Sequence, residues 1–385
     1  MRKILVMTAQ RSIVERSAVS RHVEIFRMFG SRDFKYTYWN AWYFGMPPKL
    51  IIDCHDVIIY DYPFCDMRFR QHKFNKIISG IKNNKNIHEK FSIIMPQDEF
   101  VHLDILNQFV HAVQVDVILS VANSKNWPII YPDYTGKIFQ ILTAYVPDNW
   151  MALRDAYSSK ERFVDIFYRA HADAKWGRFN MLKKEIGEAA LNLLSGEKLK
   201  VDIKIGSNHF LLGDSWLQRL GQSKVTLGTE SGVDQYWRKD GSVDEEQHDN
   251  FLINCISPRH LEAGICGTAQ VLIEGEYSGI MVAGEHYISV KSDFSNLKDS
   301  IERALDPAER ERLTSNFEKD ILRNEAFSYA TLVRNIEAWI DEAKISHSPR
   351  PNFPSGIISI FNTVNKLLMI SNYFIKLFIE KVRRV

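Results

Sequence analysis

The segment Ser257-Pro258-Arg259-His260-Leu261-Glu262-Ala263-Gly264-Ile265-Cys266-Gly267-Thr268 sets a helix start, a carboxylate and two glycines between two strand-like runs. Ser257 is placed to cap a helix, and Pro258 fits its first position, where the missing N–H would have no intrahelical partner anyway. Gly267 suits the left-handed residue that ends such a helix. A helix N-terminus at the edge of a parallel sheet is phosphate chemistry, because its N–H groups point at the anion and its dipole favours negative charge. Two other acidic clusters follow strand-like runs. Glu230, in Thr229-Glu230-Ser231-Gly232, is read as a cleft carboxylate, against the alternative that it satisfies the turn's own backbone. In Met95-Pro96-Gln97-Asp98-Glu99-Phe100, Asp98 and Glu99 form an acidic pair able to take a proton from an acceptor hydroxyl. The competing reading makes Asp98 a helix cap with Glu99 in the first turn, where the dipole favours negative charge. His102, His171 and His286 are secondary candidates.

The elements that must position these groups alternate. Strand-like runs at 3–8, 56–60, 92–95, 116–120 and 138–142 are separated by helical patterns at 17–28, 67–82 and 103–113, which implies a parallel sheet wrapped by helices. A polar stretch near 147–162 reads as a crossover, and a second series follows: strands at 164–168, 200–205, 225–228 and 269–273, helices at 175–194 and 216–220. Two open α/β sheets in tandem place a ligand cleft outside the carboxyl ends of their strands. The charged stretch 236–250 is expected to be a mobile loop over or beside that cleft. At 385 residues the chain exceeds what one core serves, so two domains are expected.

A net charge of +2 and 45% apolar content describe an ordinary globular protein and exclude the strongly basic footprint of a nucleic-acid binder. No nucleic-acid partner is expected. The N-terminal apolar run, Ile4-Leu5-Val6-Met7, is too short for a secretory signal and reads as a strand, so a cytoplasmic location is expected. Cys54, Cys65, Cys255 and Cys266 lack Cys-x-x-Cys spacing and read as reduced, packed thiols. From residue 350 onward six Lys and Arg face one acid, Glu380, and apolar residues from Ile357 to Phe378 recur at helical spacing. This is the pattern of an interfacial amphipathic helix on anionic lipid, with an intramolecular strap or a dimer contact as the alternative. A second basic set, Arg68, Arg70, Lys73, Lys76 and Lys82, reads as a solvated helix face, with attraction to anionic lipid headgroups as the alternative.

The stretch Arg259 to Val271 resembles the nucleotide-sugar motif of the group 1 glycosyltransferases of the GT-B fold, in which two glutamates with seven residues between them precede a Gly and a strand. Glu262 aligns with the second; the first falls on Asn254. Residues 227–232 and 284–296 resemble those of bacterial surface-polysaccharide glycosyltransferases, and Asp165 to His171, continuing to Lys175-Trp176-Gly177, is similar to the family's Arg and Lys after the first donor-domain strand. The resemblance implies two Rossmann-like parallel-sheet domains facing a central cleft, with a C-terminal amphipathic tail. It implies an acceptor domain over 1–150, a donor domain over 160–330, a closing helix over 331–348 and the tail over 350–385. Arg169, also a catalytic candidate, and Lys175 would hold the diphosphate, since charge accumulates on the departing nucleotide. Glu262 would bind the ribose, Glu230 the ribose or sugar, and Ser257, Arg259 and His260 would complete the donor site. The implied activity is transfer of a sugar from a nucleotide diphosphate donor to a glycan or lipid-linked acceptor. No obligatory metal or other cofactor is expected, and the implied setting is peripheral on the inner face of a bacterial membrane. Sugar-nucleotide epimerase and non-catalytic nucleotide-sugar-binding scaffold are the alternatives.

Overall fold

The computed structural model describes residues 1–13, 17–158, 161–206, 209, 211, 214–235, 251–343, 345 and 355–382. The charged 236–250 segment and the closing Arg383 and Arg384 lie outside the described residues. The chain divides into two units: among the described residues, one gathers 1–141 with 332–382, the other 142–235 with 251–331.

The first unit is built on β1 (Arg2–Thr8), β2 (Phe34–Asn40), β3 (Val57–Tyr60), β4 (Phe91–Ile94), β5 (Val117–Ser120) and β6 (Lys137–Gln140), paired in the order β2-β1-β3-β4-β5-β6, every pair parallel. Its central strands are apolar without alternation because helices cover both faces: Ile4, Leu5 and Val6 of β1 and Val57 to Tyr60 of β3 are buried. β2 was not anticipated. Lys35 and the aromatic content of Phe-Lys-Tyr-Thr-Tyr-Trp-Asn hide its period, yet aromatic residues favour a pleated surface and β2 pairs with β1 along its full length. The expected 67–82 helix is divided into a 3₁₀ turn, Asp66–Arg70, and a helix, Gln71–Lys82.

After residue 331 the chain packs on this first sheet. The helix Tyr329–Glu342 buries Glu337, whose Oε1 accepts from Ser31 N at 2.9 Å and the Tyr36 hydroxyl at 2.7 Å; Trp339 stacks on Phe139 with ring centroids 4.1 Å apart. The tail forms one helix, Ser355–Val382. Phe361 packs against Trp39 and Phe44, Asn365 accepts from Asn40 Nδ2 at 2.8 Å, and Asn372 donates to the Arg11 carbonyl at 2.7 Å. An opposite row, Ile360, Leu367 and Phe374, is more than 60% exposed. Among the described residues no helix is long and apolar enough to cross a membrane.

The second unit contains β7 (Val164–Ala170), β8 (Val201–Ile205), β9 (Ser223–Gly228), β10 (Ser231–Val233), β11 (Ile253–Cys255), β12 (Ala269–Ile273) and β13 (Ile288–Val290). Five form a parallel sheet in the order β13-β12-β9-β7-β8; β10 and β11 form a separate antiparallel pair. Ile166, Val225, Val271 and Val290, from four neighbouring strands, meet Ile186 and Ile301 of the covering helices in one apolar core. All four cysteines are buried.

Candidate functional sites at the carboxyl edges of the two sheets

In the second unit, β7, β9 and β12 end side by side, and the helix Pro258–Ile265 starts beside that edge. Ser257 occupies the cap position with an extended backbone, but its side chain makes no capping bond, so the capping expected of it is not made; Pro258 does stand at the first helical position. Gly267, at φ +63°, provides the left-handed exit. Glu262 is buried, and its Oε2 accepts from Trp216 Nε1 at 2.8 Å. Trp216 comes from the helix Asp214–Gly221, and the Arg259 guanidinium lies 5.1 Å from its ring centroid. Arg259 Nη1 also donates to the Arg169 carbonyl at 2.6 Å. A carboxylate, an indole and a guanidinium are thus fixed together one turn into the helix. A hydrogen bond to a charged partner of this kind contributes roughly 1.5 to 3 kcal/mol.

Arg169 is buried. It stands one residue before the end of β7, but its guanidinium folds back over Phe167 toward β8, where Nη2 donates to Asp202 Oδ1 and Nη1 to the Asp202 carbonyl, each at 2.7 Å. Arg219 also pairs with Asp202, at 3.0 Å. A buried guanidinium needs such a partner, and Asp202 meets that need within the unit; the arginine set at the helix start is Arg259. Lys175 lies in a surface turn, half-exposed, with Nζ 3.1 Å from Asp173. The start of the next helix, Arg178–Leu193, already has an anion: Asp234 Oδ1 accepts from Phe179 N at 3.2 Å. His260 is buried as well. Its ring nitrogens are 2.9 Å from Gln270 Oε1 and 3.0 Å from the Thr229 carbonyl, and burial pushes its pKa down to about 4. It cross-links the turn after β9 to β12.

Glu230 is also buried. Oε1 accepts from Tyr277 N at 2.5 Å and Oε2 from Asn254 Nδ2 at 3.2 Å. Burial raises its pKa, opposed by those hydrogen bonds. The room it occupies exists because residue 275 is glycine: a Cβ there would stand 2.5 Å from Glu230 Oε2. Asn254, where the sequence pattern anticipates a glutamate, lies between two carboxylates, since its Nδ2 is 3.5 Å from Glu276 Oε2 as well. Trp216 and Glu276 escaped the sequence reading: Trp216 sits in an amphipathic helix where an aromatic reads as core, and Glu276 follows β12 with no motif around it.

The corresponding edge of the first unit is a clamped loop. Neither Asp98 nor Glu99 belongs to a helix, because the helix Leu103–Val113 begins beyond them with His102 at its cap position. The capping reading therefore fails. Asp98 (φ +49°) and His102 (φ +50°) both take the left-handed conformation, uncommon for residues with a side chain. Arg68 holds the loop: fully buried, it donates to the carbonyls of Gln97 (2.7 Å), Asp98 (2.8 Å), Val101 (2.9 Å) and Cys65 (2.9 Å) and pairs with Asp66 at 3.2 Å. It is no solvated residue, contrary to the expectation for that basic set. Glu99, also fully buried, accepts from Val121 N at 2.7 Å, Ala122 N at 3.2 Å and the Tyr131 hydroxyl at 2.5 Å, and burial raises its pKa. Asp98 is left exposed. Nearby Asp66 has its pKa pushed up to about 8 by burial, with Arg68 opposing and Asp98 adding to the shift. Among the described residues no group of three or more His, Cys, Asp or Glu is arranged to hold a metal ion.

No protein-family model and no curated protein matches this chain. Solved structures do. An alpha-glucosyltransferase in complex with UDP-glucose and DNA containing an abasic site is similar at a TM-score of 0.52 with 12% identity, over 88% of this chain and 98% of that one. An alpha-glucosyltransferase in complex with UDP is similar at 0.51 with 12% identity, over 88% and 100%. At this identity the likeness is one of fold, and the chain has the GT-B fold.

Proposed function

We propose that this chain is a glycosyltransferase that moves a sugar from a nucleotide diphosphate sugar to a glycan or lipid-linked acceptor in bacterial surface-polysaccharide synthesis. The observation that carries the reading is the Glu262, Trp216 and Arg259 constellation one turn into a helix at the carboxyl edge of the second sheet, the edge at which open α/β sheets bind their ligands. The fold supports it. Glu262 is assigned to the donor ribose, since a carboxylate accepts two hydroxyl hydrogen bonds; Arg259, with backbone N–H groups of the helix start, is assigned to the diphosphate. Arg169 supports Arg259 through its carbonyl, Lys175 stays a peripheral cation, and Glu230 with Asn254 and Glu276 shapes the sugar end. In the reaction the acceptor oxygen forms the new bond to the anomeric carbon. The bond to the diphosphate oxygen breaks, its electron pair leaves with the nucleotide, and the acceptor proton goes to a base, assigned to Asp98. Positive groups at the departing diphosphate lower the barrier because charge grows there in the transition state.

The exposed row Ile360, Leu367 and Phe374, followed by the basic end of the tail, supports peripheral attachment to an anionic membrane. The test of the activity is release of nucleoside diphosphate from a panel of nucleotide sugars, with and without glycan and polyprenyl-linked acceptors. One donor should yield acceptor-dependent release that Asp98→Asn abolishes while donor binding persists. Isomerised nucleotide sugar without nucleotide release would instead identify an epimerase, and donor binding without turnover would identify a scaffold.

A further inference from the structure

The second unit has a cavity of about 410 Å³ at the edge of its sheet opposite the candidate donor site. Its position follows from the strands: Arg162 precedes β7, Lys224 is the second residue of β9 and Gly267 precedes β12, so all three stand at the amino ends. At roughly 3.3 Å per residue, a six-residue strand separates this edge from Glu230 by close to 20 Å. Arg154, Arg162, Lys224 and Arg310 line the cavity, against two carboxylates, Glu311 and Glu318.

The pairing leaves positive charge over. Arg154 pairs with Glu318, which Arg323 shares, and Lys224 pairs with Asp165 at 2.6 Å. Arg162 and Arg310 are held by neutral groups. Arg162 donates to the carbonyls of Ser223 (2.7 Å), Cys266 (2.8 Å) and Gly221 (3.1 Å), and Arg310 Nη1 donates to the Leu305 carbonyl at 2.5 Å. Carbonyl dipoles orient a guanidinium without cancelling its charge. Burial and then the neighbouring Arg310 and Arg154 push the Arg162 pKa down, as expected where cations crowd one another. Ser158 places a hydroxyl on the same walls, its oxygen accepting from Arg162 Nη2 at 3.1 Å, while the Thr314 and Ser315 hydroxyls donate within their own helix, to the Arg310 carbonyl at 2.9 Å and to Glu311 Oε1 at 3.2 Å; Gly267 offers bare backbone, since a Cβ there would stand 3.1 Å from Arg162 Nη2.

We propose that this cavity is a second anion site, taking a phosphate, a pyrophosphate or the phosphate end of a small phosphorylated metabolite, separate from the donor site. Guanidinium groups are the donors phosphate oxygens select, and Arg162 and Arg310, held by neutral groups, leave positive charge on the walls for such an anion. A ligand here would tie together the ends of three neighbouring strands and the helix Pro307–Phe317.

The probe is inorganic pyrophosphate, titrated by calorimetry into the full chain, into Arg259→Gln, and into Lys224→Gln and Arg310→Gln singly. The site predicts saturable binding that survives in Arg259→Gln and weakens at least tenfold in each cavity variant, with unchanged circular dichroism confirming their folding. No binding to the wild-type chain, binding lost in Arg259→Gln, or full affinity in either cavity variant would overturn it. Because Arg259→Gln addresses the other edge, the outcome does not depend on whether the chain transfers sugar.

Discussion

The carboxyl edges of the two sheets share a position in the fold and differ in what they do with charge. In the first unit the buried Arg68 and Glu99 are spent on the main chain, holding a loop with two left-handed residues so that Asp98 is presented outward. In the second unit Arg169, Glu230 and His260 are engaged by Asp202, by Tyr277 N and by Gln270, and the groups fixed as a constellation are Glu262, Trp216 and Arg259. Ionisable residues at a sheet edge can therefore build the edge itself, and residue type alone does not show which of them do; the partners of their polar atoms do.

The largest expected effect breaks the first edge. Arg68→Ala deletes a buried cation and strands the carbonyls of Gln97, Asp98 and Val101, so a loss of about 3 to 5 kcal/mol is expected in denaturant unfolding. A loss below 1 kcal/mol would mean that the loop is held by something else. At the second edge, Glu262→Ala should weaken nucleoside diphosphate binding about ten- to a hundredfold while the protein stays folded. Arg169→Lys sharpens the contrast: it should cost stability through Asp202 more than donor affinity. The reverse ratio would restore Arg169 to the ligand.

A pH experiment addresses the first unit alone. Burial pushes the Asp61 pKa up to about 7. An acid whose folded pKa exceeds its unfolded value of about 4 binds its proton more tightly in the native state, so the stability it contributes at low pH is lost as pH rises between those values. Asp61→Asn keeps a side-chain oxygen for the Phe64 N–H it caps at 3.0 Å and carries no titration. It should match wild type near pH 4 and exceed it in melting temperature at pH 8. Equal melting curves at both values would contradict the assignment. The smallest effect on stability is expected from Leu367→Ser with Phe374→Ser, within about 0.5 kcal/mol as exposed sites. The same pair should abolish sedimentation with anionic vesicles, and retained sedimentation would remove the membrane role from that helix face.

Much of the framework was legible because buried parallel strands are written as unbroken apolar runs: 269–273 coincides with β12, and 103–113 with its helix. β2 was hidden by its aromatic and charged content, and β10, β11 and β13, at three residues each, are too short to show a period. At the sites, Glu262 stood out through its glycines and helix start. The inward turn of Arg169 did not, because it depends on Asp202, 33 residues away on the neighbouring strand. Arg68 looked like one of a solvated basic set for the same reason: its partners are main-chain carbonyls about 30 residues on, and a carbonyl has no sequence signature.

The most direct test of the central claim is calorimetry of the full chain against UDP, GDP, ADP and dTDP, repeated with Glu262→Ala. The account predicts selective binding of one nucleoside diphosphate that weakens at least tenfold in the variant. Binding of none, or equal affinity in the folded variant, would contradict the assignment of the second unit's carboxyl edge as the donor site.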